Sequence, residues 1–89
     1  MTYRVELTTQ AFEDLSSLDT TLRRRLVNKL ERLSQDFDRI DPESLSARFK
    51  GLYKLRVGDW RVLYTVEQGA SVITVDPIGH RSKIYKRER

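Results

Sequence analysis

The hydrophobic period changes once along this chain, and that change limits the fold more than any other feature. Up to about residue 37, apolar residues recur every three or four positions: Ala11, Phe12, Leu15 and Leu18, then Leu22, Leu26, Leu30, Leu33 and Phe37, with Val27 beside them. Such spacing lays one apolar stripe along each of two helices. From Leu52 the period becomes two. Tyr53-Lys54-Leu55-Arg56-Val57 and Trp60-Arg61-Val62-Leu63-Tyr64-Thr65-Val66 read as strands, and Gly58-Asp59 between them is a two-residue hairpin signal. Gln68-Gly69 turns the chain again, Ser71 to Val75 reads as a third strand, and Pro77 and Gly79 end it. Near the N-terminus, Tyr3-Arg4-Val5-Glu6-Leu7 alternates apolar and polar residues and reads as one more strand.

Thr8 or Thr9 offers a capping hydroxyl to a first helix that runs to about Leu18, and Asp19 or Thr20 caps the second. Asp36 to Ser46 is polar, holds Pro42 and reads as a loop. The order is strand, helical hairpin, antiparallel meander. It specifies an α+β fold with the two helices packed on one face of a sheet. Eighty-nine residues make one domain, 1–89, without room for a deep cofactor cavity.

Alternation then assigns the faces. Tyr53, Leu55 and Val57 share one side of their strand, and Trp60, Val62, Tyr64 and Val66 join them across the hairpin. This side takes the Leu-rich helices. Lys54, Arg56 and Arg61 fall on the other, which cannot be core, because burying unpaired cations is costly.

Several chemistries are excluded by composition. There is no cysteine and only one histidine, so disulfides, thiolate metal sites, cysteine nucleophiles and His-based metal clusters are absent. No apolar run approaches the roughly 18 residues of a membrane span. The first residues are too polar for a secretory signal, and a cytoplasmic location is expected. The net charge of +4 is uneven. Residues 1–47 carry seven cations and nine carboxylates, whereas residues 48–89 carry ten cations and four carboxylates. The second half therefore suits a polyanion, although surface cations also serve solubility. On the second helix the run Arg23-Arg24-Arg25 reads as a solvated face.

The chain closes on Gly79-His80-Arg81-Ser82-Lys83-Ile84-Tyr85-Lys86-Arg87-Glu88-Arg89. It is either a solvated tail or half of a site for a polyanion. If it returns to the sheet, His80, Arg81 and Tyr85 join Lys54, Arg56 and Arg61, and Lys83 adds charge. Such a set suits phosphodiester cleavage in RNA by the adjacent 2′-hydroxyl. Arg and Lys stabilise the phosphorane. A His, Lys or Tyr moves the protons, and a Tyr can instead stack on an unpaired base. Each residue has a plainer role too: Lys54 and Arg56 as solubilising strand residues, Tyr85 as a core aromatic, His80 as the cap of a turn.

The stretch from Tyr53 to Tyr64, with Lys54-Leu55-Arg56-Val57-Gly58-Asp59-Trp60-Arg61 at its centre, is followed by Ile78-Gly79-His80-Arg81-Ser82-Lys83-Ile84-Tyr85. Together these motifs resemble the RelE branch of the RelE/ParE toxin superfamily, over nearly the whole chain. The resemblance implies a ribosome-dependent endoribonuclease, the toxin of a toxin–antitoxin pair, that cuts mRNA in the ribosomal A site without a cofactor. By position it implies Lys54, Arg61, Arg81 and Tyr85 as catalytic residues. Arg61 and Arg81 would hold the scissile phosphate, with Arg81 a candidate to protonate the leaving oxygen. Lys54 and Tyr85 would position or deprotonate the 2′-hydroxyl. Lys50, Arg56, His80 and Lys83 would bind RNA or phosphate, and His80 is a further acid/base candidate. One departure stands out. Leu52 occupies a position where well-known members carry a second lysine, for which Lys50 is the nearest substitute.

The implied partners are the ribosome with its mRNA, an acidic and partly disordered antitoxin, and operator DNA through the antitoxin complex. No membrane is involved. Two other readings share this resemblance: a ParE-like inhibitor of DNA gyrase, and a degenerate toxin that only binds its antitoxin.

Overall fold

The computed structural model describes residues 2–39, 42–44 and 51–87, with residues 43–44 and 85–87 described by their backbone alone. Strand β1 spans Arg4–Leu7, helix α1 Thr9–Ser16 and helix α2 Thr20–Asp36, followed by one 3-10 turn at Phe37–Arg39. Strands β2 (Glu43–Ser44), β3 (Leu52–Val57), β4 (Trp60–Glu67) and β5 (Val72–His80) follow, and helix α3 (Arg81–Arg87) comes last. The sheet order is β1-β5-β4-β3-β2. β1 runs parallel to β5, and every other pair is antiparallel.

The two long helices begin where the sequence supplies caps. The Thr8 hydroxyl accepts from the Ala11 N–H at 3.1 Å, and the Asp19 carboxylate accepts from the Leu22 N–H at 2.8 Å. Each bond satisfies one of the donors that a helix start leaves without an internal partner. The stripe of α2 then buries Leu26, Leu30 and Leu33 against Val62, Tyr64, Ile73, Val75 and Ile78 of the sheet. Burial of each such side chain contributes about 1.5–3 kcal/mol. Tyr3 and Phe37 close the far end, with ring centroids 4.9 Å apart.

The structure corrects two boundaries. The segment Asp36–Ser46 is not loop throughout, because α2 reaches Asp36 and Glu43–Ser44 pairs with Lys54 and Tyr53 of β3. The third strand of the meander does not stop at Val75. It continues through Pro77 and Gly79 to His80. Pairing with β4 passes from Tyr64↔Val75 to Val62↔Ile78, so Asp76 and Pro77 together oppose Leu63. That is a β-bulge, a place where a strand tolerates proline because no ladder donor is required. Beyond the end of β1, the Asp14 carboxylate of α1 accepts from the Ile78 N–H at 3.0 Å and covers the exposed edge of β5.

The C-terminal segment returns to the sheet, the second of the two readings open to it. It is not a solvated tail. Residues 81–87 form α3, which packs against β5 and β4, and Ile84 is completely buried. Leu63, which points away from the two long helices, is also completely buried, and neither residue belongs to the main core cluster. No helix among the described residues is long and apolar enough to cross a membrane.

Candidate nucleic-acid interface

The register of the hairpin places the cations. Tyr53↔Tyr64, Leu55↔Val62 and Val57↔Trp60 pair on the helix side of the sheet. Lys54↔Leu63 and Arg56↔Arg61 therefore lie on the opposite side, as the alternation requires. On β5 the residue opposite Arg61 is Gly79. It places no side chain on that face, so the sheet stays open next to the Arg61 guanidinium.

Arg56 and Arg61 stand directly across from each other. Like charges in that relation destabilise a sheet by a few tenths to about 1 kcal/mol. Arg56 is exposed and Arg61 half-buried. The Arg61 guanidinium folds back on the hairpin turn, where Nη1 donates to the carbonyls of Gly58 at 2.8 Å and Trp60 at 2.9 Å. Its Nε–H is buried and has no hydrogen-bond partner among the described residues.

Arg81 approaches the same turn from α3. Its backbone N–H donates to the Asp59 carbonyl at 2.8 Å, which extends the ladder one residue past Trp60↔His80. Its side chain is exposed, and Nε lies 3.7 Å from the Asp59 carboxylate, a loose and solvated ion pair. The turn Gly58-Asp59-Trp60 thus holds both arginines, Arg61 through two carbonyls and Arg81 through Asp59. Lys54 is half-buried in mid-strand, beside Glu43 of β2 in register. Lys83 is exposed on α3. Tyr85 belongs to the same helix as Arg81, four residues on, but its side chain lies outside the described residues. Lys50 also lies outside them.

His80 is not brought to this face. It pairs with Trp60, whose ring belongs to the helix side, and the two rings meet edge to face with centroids 5.7 Å apart. The bulge is the cause. With the extra residue at Asp76-Pro77, Val75 and Ile78 both face the core, so His80 follows Ile78 inward and Gly79 turns to the open face. His80 Nδ1 accepts from the Ser82 N–H at 3.2 Å, so the ring caps α3.

Two features escaped the sequence reading. Arg25, Lys29 and Arg32, spaced along one side of α2, line a cleft of about 560 Å³ together with Arg56. Part of what reads as a solvated helix face therefore continues the cationic surface around the β3 edge. Their i, i+4, i+7 spacing was the available signal. The other is Asp14, whose bond to Ile78 ties α1 to β5. Nothing in the local sequence marks it.

A family model described as the ParE toxin of the type II toxin–antitoxin system, parDE, matches residues 5–85. The chain belongs to the RelE/ParE toxin superfamily. Among solved structures it sides with the RelE branch. The RelE–RelB complex from Pyrococcus horikoshii matches at 30% identity and a TM-score of 0.75, covering 93% of this chain and 99% of that one. The toxin–antitoxin complex RelBE2 from Mycobacterium tuberculosis matches at 26% identity and a TM-score of 0.78, over 91% and 100% of the two chains. A mutant of E. coli RelE in the free state shares the fold at 24% identity and a TM-score of 0.79, over 97% and 93%. No curated protein matches. In this RelE-like toxin, Arg56, Arg61 and Arg81 gather around one hairpin, on and beside a sheet face that the two long helices leave open.

Proposed function

We propose that this chain is a ribosome-dependent endoribonuclease toxin that acts in the cytoplasm, cuts mRNA in the ribosomal A site by attack of a 2′-hydroxyl, and is held inactive by a cognate antitoxin. The observation that carries the reading is the cross-strand Arg56–Arg61 pair on an open face, with Arg81 anchored to the adjoining turn. Two arginines in register on one face suit an anionic ligand, and a phosphate seated there gives the buried Arg61 Nε–H an acceptor once the guanidinium swings out. Arg61 and Arg81 bind the scissile phosphate and stabilise charge developing on the phosphorane. Arg81 is also the donor to the leaving 5′-oxygen. Lys54 and Tyr85 orient or deprotonate the 2′-hydroxyl. Arg56, Lys50 and Lys83 hold flanking phosphates, and the α2 cleft supplies a further run of cations. Free RNA is cut poorly, because the ribosome supplies the strand alignment that the open face lacks.

Solved relatives are complexes of RelE with RelB. The same cationic surface suits an acidic antitoxin segment that orders on binding, and the complex with it binds operator DNA. The test is a defined translation reaction with 5′ ends mapped by primer extension. Cuts within the A-site codon, absent without ribosomes and absent with Arg81→Ala, support the reading. Intact mRNA sinks it. The ParE description of the matching family favours one second reading, inhibition of DNA gyrase, for which a supercoiling assay gives the answer.

A further inference from the structure

His80 carries the chain from the last strand into α3, and its environment assigns it work of a particular kind. A backbone N–H can only donate. At 3.2 Å from the Ser82 N–H, Nδ1 is therefore the acceptor, and the Ser82 hydroxyl lies 2.9 Å from the same nitrogen. The ring proton of neutral His80 then sits on Nε2. The ring is turned to the helix side of the sheet, with its edge against Trp60. On that side it shares clefts with Asp19, Arg25 and Asp59 in one direction and with Asp14 and Lys83 in the other. Lys54, Arg56 and Arg61 are on the other face.

Helix α3 has seven residues. A helix of that length is not stable alone in water and depends on capping and packing. Packing comes from Ile84, capping from the imidazole, and the start is fixed by the Arg81 N–H bond to Asp59.

We infer that His80 is a positioning residue: its Nδ1 cap and its contact with Trp60 fix the start of α3, and so the place of Arg81 and of the segment carrying Tyr85, while the imidazole itself transfers no proton. This rests on the nuclease reading for its consequence in catalysis and on the geometry alone for the cap.

The experiment compares the full chain with His80→Ala and His80→Asn. Asparagine offers an oxygen acceptor at the cap and has no titratable ring. Two quantities are read: amide exchange of α3, and single-turnover cutting of ribosome-bound mRNA across pH 5.5 to 8. In His80→Ala, α3 amides exchange roughly fivefold faster and cutting falls roughly five- to tenfold. In His80→Asn both return to within about twofold of the parent at pH 8; toward pH 5.5 only the variant keeps its acceptor, because a protonated imidazole offers none at Nδ1. Two results overturn the inference. One is His80→Asn with normal exchange but cutting as poor as His80→Ala, which makes the imidazole a proton carrier. The other is His80→Ala indistinguishable from the parent in both. If the parent cuts no mRNA, the nuclease reading has failed, and exchange in the same variants still decides the cap.

Discussion

Arg61→Met separates a side chain kept for the fold from one kept for the reaction. Methionine retains most of the unbranched stem and removes the charge. The stability change follows from the structure. Two hydrogen bonds to the Gly58 and Trp60 carbonyls are lost, about 0.5–1.5 kcal/mol each. A buried, unpaired Nε–H is removed, a relief of about 1–3 kcal/mol. These contributions cancel to within about 1 kcal/mol, so the Tm should move by no more than about 4–8 °C in either direction. Cutting of A-site mRNA should fall by about 10²–10³, the cost typical of removing one donor to a developing anion. The assays are thermal unfolding by circular dichroism and single-turnover primer extension. A Tm drop well beyond that range, with activity falling only as far as the folded fraction does, would falsify the assignment and make Arg61 a structural residue.

Asp59→Asn leaves stability within about 1 kcal/mol, since the pair it removes is solvent-exposed, and it frees Arg81 for anions; affinity for single-stranded RNA at low salt should rise, and an unchanged affinity would show that Asp59 does not restrain Arg81. Leu26→Ala removes a completely buried side chain at the centre of the helix–sheet contact and should cost about 2–5 kcal/mol in denaturant unfolding. Tyr64 is pushed up to about 12 from 10.0 by burial first and by neighbouring Tyr53 second. The folded state thus keeps the phenol proton that the unfolded chain releases near pH 10, and the stability it contributes is whole below pH 10 and lost as pH rises through 12. Tyr64→Phe should flatten the fall of stability across that window, and an identical fall in the variant would refute the assignment.

What the residues reveal in advance, and what they withhold, divides by the range of the interaction. The α2 stripe, the Asp19 cap and the Gly58-Asp59 hairpin are local and were legible. So was the face holding Lys54, Arg56 and Arg61, because alternation within one hairpin fixes it. The parallel pairing of β1 with β5 joins segments far apart in the chain, and no local signal specifies it. The edge strand β2 is too short to show a period. Helix α3 begins without the usual Ser, Thr, Asp or Asn at its cap, because an imidazole takes that role, and Ile84 is its one buried apolar residue among those described. His80 was misplaced for a different reason: Pro77 ends a strand on propensity, whereas here it occupies a bulge through which the strand continues.

That bulge bears on how relatives of this chain are compared. Between Val75 and Ile78 the chain places two residues where β4 places one, and so Gly79, not His80, looks onto the cationic face. A relative that lacks one of the two has a regular ladder there and keeps the same choice when every later letter is the same, because its later residues stay opposite the same positions of β4. Alignments that slide a gap a few positions along this strand therefore exchange a ring for an empty notch beside Arg61. Gap placement between residues 75 and 78 is as consequential for assigning the site across the superfamily as the arginines themselves.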